Sequence, residues 1–143
     1  MGSLIRLITP VVETKTRALG PYAPRDTTLA LVVEDIVRQA AREMAPTVIV
    51  DTGADLDLKT VILRLEPDTV QKPFACALVL IEVARASTQQ TLYTRKVESE
   101  VRRLIQPPVP LDDERFPRTA LGRATSSCLR SLFTAIMETF GGI

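Results

Sequence analysis

The residues whose types and spacing come nearest to chemistry are Asp51, Thr52 and Gly53, inside the run VIVDTGADLDL at 48–58. A carboxylate held in a tight turn can work as a general acid or base. Two such carboxylates brought face to face share one proton, because like charges a few ångströms apart cannot both ionise. Only one Asp-Thr-Gly run is present, so this chemistry needs a second copy of the chain. The competing reading is structural: an Asp-x-Gly turn between two strands bends the backbone with no catalytic role. Asp51, Asp55 and Asp57 also alternate as in a calcium loop, but the later ligand positions are missing. The chain has 0 His and 2 Cys. Ser-His-Asp and Cys-His catalysis within the chain are thereby excluded, and a structural zinc site has too few ligands. No cofactor and no metal is expected. Cys76 lies in the apolar run 74–83 and Cys128 on the apolar side of a helix pattern, so both read as buried thiols. A single disulfide stays open in an oxidising compartment.

Asp51-Thr52-Gly53-Ala54 resembles the catalytic loop of retroviral and eukaryotic aspartic proteases. That resemblance implies Asp51 as the catalytic carboxylate, Thr52 as a brace, Gly53 as the tight turn, and an obligate dimer of retropepsin type. Ala120-Leu121-Gly122-Arg123 resembles the apolar-apolar-Gly segment that follows in those enzymes. The chain departs from their pattern in two ways: an amphipathic helix pattern precedes the loop, and no Gly lies between Gly53 and Gly122 to form a flexible flap.

The elements that must position these residues follow from periodicity. Residues 4–13 are β-branched and read as a strand broken near Pro10, which cannot donate to a ladder. Residues 14–27 form a loop around Gly20, Pro21 and Pro24, with Tyr22 as a loop anchor, and Asp26 or Thr27 can cap the helix that follows. Leu29, Val32, Val33, Ile36, Val37, Ala40 and Met44 recur at helical spacing, which predicts an amphipathic helix over about 28–45. Short strand 47–50 and strand 55–66 flank the Asp-Thr-Gly turn. The apolar phase of the second changes near Thr60, predicting a bulge or burial on both faces. After a turn at Pro67-Asp68, residues 74–86 read as a central strand, and 87–90 as a hairpin connection. Residues 91–104 alternate as a strand with one wet face, with a helix open for their second half. Arg95-Lys96 and Arg102-Arg103 are balanced there by Glu98 and Glu100. The segment 106–117 carries four prolines and the acids Asp112, Asp113 and Glu114, with a turn of helix at 111–115. A last amphipathic helix spans about 118–140 and ends at Gly141-Gly142.

The expected fold is α+β: a single mostly antiparallel sheet of four to five strands with two amphipathic helices on one face, in the order β-α-β-β-β-β-α. The 143 residues suit one domain, with 1–3 outside it as an appended start. Basic and acidic side chains number 18 and 17, which gives no reason to invoke nucleic acid. No stretch approaches the roughly 20 apolar residues of a membrane span, and no signal peptide is recognised.

Three stretches, PVVETKTRALG at 10–20, GADLDLKTVILRLEPD at 53–68 and ALVLIEVARASTQQTLYTRKVESEV at 77–101, precede a closing helix, ATSSCLRSLFTAIM at 124–137. Together they resemble the domain of small bacterial envelope lipoproteins, of the YajG-like and ABC-transporter auxiliary types. The resemblance implies a location in the periplasm or at the outer membrane, a tether through an upstream lipidated Cys, and a non-enzymatic role in assembly. Its partner would be another protein or a further copy of the chain. A carrier for a lipid or small apolar ligand, held in a crevice between helices and sheet, is the third alternative.

Overall fold

The computed structural model describes residues 3–141. Its sheet is mixed. Strands β1 (Ile5–Leu7) and β2 (Val11–Val12) both run parallel to β3 (Leu56–Glu66), which pairs antiparallel with β4 (Phe74–Arg85), itself antiparallel to β5 (Thr91–Arg102). Parallel neighbours need a crossover, and helix α1 (Leu29–Met44) supplies it between β2 and β3. Helix α2 (Ala120–Phe140) closes the chain.

The predicted first strand is present as two pieces, β1 and β2, on either side of Pro10. The predicted strand at 47–50 is not a strand: only an isolated bridge, Ile5 to Ile49, forms there. It is still held in place, because Ile5 N–H donates to the Val48 carbonyl and Val50 N–H to the Ile5 carbonyl, at 2.8 and 2.9 Å. The bulge in β3 falls between Ile62 and Arg64, slightly later than the phase change at Thr60 suggests. Residues 91–102 are strand throughout, so the helical option for their second half is closed.

The core face is built from Leu56, Leu58, Ile62 and Leu65 of β3 with Ala75, Ala77, Val79, Ile81 and Val83 of β4. Against it pack Val32, Val33, Val37 and Ala41 of α1, and Leu121, Leu129, Leu132, Phe133 and Ile136 of α2, all buried. Both helices begin on a threonine, α1 on Thr28 rather than on the predicted Asp26 or Thr27. The hydroxyl oxygen of Thr28 accepts from Leu31 N–H at 3.3 Å, and that of Thr119 from Gly122 N–H at 3.0 Å. The last helix ends at Gly141 with φ −64°, an ordinary helical value rather than a left-handed cap. Gly142 lies outside the described residues, as do Met1 and Gly2 of the expected appended start. Ser3 is tied into the fold, its N–H donating to the Phe140 carbonyl at 3.1 Å.

Candidate functional site

Asp51, Thr52 and Gly53 form an exposed turn between the Ile49 bridge and β3. Gly53 has φ +74°, in the left-handed region that side chains disfavour, and this is the local reason for glycine. The carboxylate of Asp51 shares a cleft of about 230 Å³ with Arg6, Arg38 and Arg42. A proton-sharing pair needs a second carboxylate close by, and the other charged side chains that line this cleft are the three arginines. The other two acids of the alternating series point elsewhere in function. Asp55 accepts from Leu4 N–H at 3.1 Å, and Asp57 pairs with the Arg6 guanidinium at 3.0 Å. Among the described residues no cluster of acids, Cys or His forms a metal-binding group. The second protease-like segment, Ala120 to Arg123, is the first turn of α2.

At the opposite end of the sheet lies a polar knot that sequence reasoning misses. The Tyr22 hydroxyl donates to Asp68 at 2.5 Å, and Arg103 Nε donates to the other oxygen of the same carboxylate at 2.9 Å. Asp68 is buried and Tyr22 fully so. The Tyr22 ring packs edge-on against Phe116 at 6.0 Å, and Leu111 N–H donates to the Tyr22 carbonyl. Burial first, and the bond to Asp68 second, push the Tyr22 phenol well above its ordinary range. Asp68 stands after a proline in a turn, which reads locally as a solvated turn residue. Its partners lie 46 and 35 positions away, and no local signal marks them. The loop acids are equally structural. Asp112 accepts from the N–H groups of Arg25 and Asp26, which holds its carboxyl below the usual range, and Asp113 is held low by Arg115. The Asp112 bonds pin the segment before α1 to 106–117, while Asp113–Arg115 is a contact within the latter, and the predicted loop 14–27 contains a 3-10 helix, Thr16–Tyr22.

The helices leave a small groove between them, about 200 Å³, lined by Ile36, Ala40, Phe116, Gly122 and Leu129 and spanned at its rim by the Arg130–Glu43 ion pair at 3.3 Å. Pockets that enclose a small-molecule ligand usually start near 300 Å³. Cys76 and Cys128 are both buried and free, so the disulfide option is not taken up. Burial pushes the Cys128 thiol up to about 12, and Cys128 Sγ donates to the carbonyls of Ala77 and Val97.

The helices leave the outer side of β3–β4–β5 uncovered. By register, Val61, Cys76, Leu78, Leu80 and Phe74 share that face with Lys59, Arg64, Glu66, Glu82, Lys96, Glu98, Glu100 and Arg102. Ion pairs cross it: Lys59–Glu82 at 3.4 Å, Arg64–Glu98 at 3.5 Å and Lys72–Glu66 at 2.9 Å. The Arg102 guanidinium lies 5.6 Å from the Phe74 ring centre. Of the charges expected to balance one another along β5, Glu98 makes its ion pair with Arg64 of β3, and Arg103 turns inward to Asp68.

No protein-family model matches the chain, and no curated protein matches its sequence. Solved structures do resemble it. The hypothetical protein CT253 from Chlamydia trachomatis has TM-score 0.68 at 10% identity, over 98% of either chain. The PelC dodecamer from Paraburkholderia phytofirmans has TM-score 0.62 at 10% identity, covering 93% of this chain and 86% of that one. A putative lipoprotein from Caulobacter crescentus has TM-score 0.53 at 10% identity, covering 97% and 92%. At such identities these similarities establish a shared fold, one also found in a putative lipoprotein.

Proposed function

We propose that this chain is a non-enzymatic interaction domain of the bacterial cell envelope, of the lipoprotein type, acting by binding a protein partner or further copies of itself. The observation that carries this reading is the open side of the sheet. It offers half-buried Phe74, Leu78 and Leu80 among crossing ion pairs, and a strand edge, which suit another protein better than a small molecule. The helix groove is small by comparison. The shared fold with a putative lipoprotein and with a dodecamer-forming protein supports the envelope and the self-association parts. The YajG-like or transporter-auxiliary assignment is the finer form of the proposal and rests on the four sequence stretches named above.

Fractionation of cells expressing the protein from its own gene tests it, with a cytosolic marker enzyme followed in parallel. The protein is expected in the envelope fraction. Recovery with the cytosolic marker alone refutes the envelope assignment.

A further inference from the structure

The two edges of the sheet are treated differently by the fold. On one side, β1 is covered by the bridge at Ile49, with bonds on both sides of Ile5. On the other side, β5 pairs only with β4. Every second one of its twelve residues therefore presents its backbone N–H and C=O groups outward. The strand contains no proline, and its one register irregularity lies at the hairpin end, where Val83 opposes Tyr93 and Ala84 opposes Thr91. From Tyr93 to Arg102 the ladder is regular.

We infer that β5 is a self-pairing edge: it joins β5 of a second copy antiparallel, about a two-fold axis at Val97, making one sheet that runs through both copies. This deepens the proposed function by naming the surface and taking a second copy as the occupant. The charge pattern selects both the partner and the register. Opposed residues of an antiparallel pair share a face. With Val97 opposite Val97 of the second copy, Lys96 falls opposite Glu98 on the open face, and symmetry makes that pair twice. Thr94 then faces Glu100. On the helix-bearing face, Arg95 meets Ser99 and Tyr93 meets Val101. Moving the axis to Lys96 sets Lys96 against Lys96, and moving it to Glu98 sets Glu98 against Glu98, so both adjacent registers place like charges in direct opposition. Within the chain, Glu98 is paired only loosely with Arg64, at 3.5 Å, and Lys96 has no acidic partner within ion-pair distance among the described residues. Cross-strand, Lys96 faces Leu80. The second copy supplies the carboxylate that this ammonium lacks.

Charge exchange on the full chain tests the inference, read by sedimentation equilibrium up to high protein concentration, with circular dichroism confirming that each variant folds. The wild type is expected to dimerise. Lys96→Glu and Glu98→Lys each place like charges in two symmetric pairs and should weaken dimerisation by about tenfold or more. The double variant K96E/E98K restores both pairs and should recover affinity to within about threefold. A wild type that stays monomeric overturns the inference, as does a dimer indifferent to the single reversals or one that the double exchange fails to rescue. These outcomes are separate from the fractionation result: a cytosolic protein that dimerises through this edge would remove the envelope assignment and leave the pairing, and an envelope protein with no charge-sensitive dimer would do the reverse.

Discussion

Gly53 and Asp51 stand two positions apart in one turn, yet they make different demands. The backbone of Gly53, at φ +74°, has open space where a Cβ would be, so alanine there meets no clash and only the left-handed conformation opposes it. Gly53→Ala is expected to cost about 1–2 kcal/mol in urea unfolding. Asp51→Asn, at an exposed position, should leave the urea midpoint unchanged. The same variant separates the corner from a protease. If the wild type cleaves peptides at acid pH and Asp51→Asn does not, the turn is catalytic. Equal outcomes for both proteins leave it as a bend. The motif was plain in the sequence, but its surroundings were not: Arg6, Arg38 and Arg42 reach the same cleft from β1 and α1. The case of Asp68 is the converse. Nothing in Pro67-Asp68 marks a buried carboxylate, and only the folded chain brings Tyr22 and Arg103 to it.

Among the elements, α2 shows how a helix is set against its neighbours. Its first turn abuts the short 3-10 turn Phe116–Arg118, and a Cβ on Gly122 would sit 1.9 Å from the Phe116 carbonyl oxygen. The clash is with backbone, so a side-chain shift does not relieve it. Alanine favours helix over glycine by about 1 kcal/mol. The forced displacement outweighs this, and Gly122→Ala is expected to destabilise the protein by about 1–3 kcal/mol in urea unfolding, with a net gain in stability contradicting the packing described. Both long helices were legible from their apolar spacing, since helix periodicity is a local property. Strand partners were not legible. That β1 and β2 run parallel to β3, while β4 and β5 form an antiparallel meander, depends on the crossover through α1. The stretch 47–50 was misleading for the same reason: its apolar, β-branched residues suit a strand, but the fold grants it one bridge.

At the scale of the whole molecule, the two ends of the sheet differ in character. Ser3 and Phe140 meet at one end, near the β4–β5 hairpin, so a tether entering upstream would attach there. The other end lies about 40 Å away along twelve-residue strands and holds the Tyr22–Asp68–Arg103 knot, with exposed Val70 and Ile105 each two positions along the chain from a member of it. Global stability should register the buried groups as a pH dependence. The Cys128 thiol rises from 9.0 to about 12 on folding, chiefly through desolvation, and the Tyr22 phenol rises from 10.0 for the same leading reason. A raised native pKa means that the folded state holds its proton while the unfolded state releases it. The contribution is complete below pH 9 and is lost as pH climbs through 9 toward 12. Urea midpoints should therefore fall across that alkaline window, and Cys128→Ser should remove up to about 1.4 kcal/mol per pH unit of the slope. A profile flat to pH 11, or a slope identical in the variant, would contradict the thiol's burial.

By itself the amino-acid sequence determined the α+β class, the two helices, the meander strands and the absence of a histidine-based site, because composition and apolar period need no long-range information. Tertiary structure alone decided which strand lies beside which, where Asp68 finds its partners, and that β5 is the edge left unpaired. The parallel pairing of β1 and β2 with β3 and the contacts of Asp68 join residues 35 to 51 positions apart, and separation along the chain carries no signal of proximity until the core has closed.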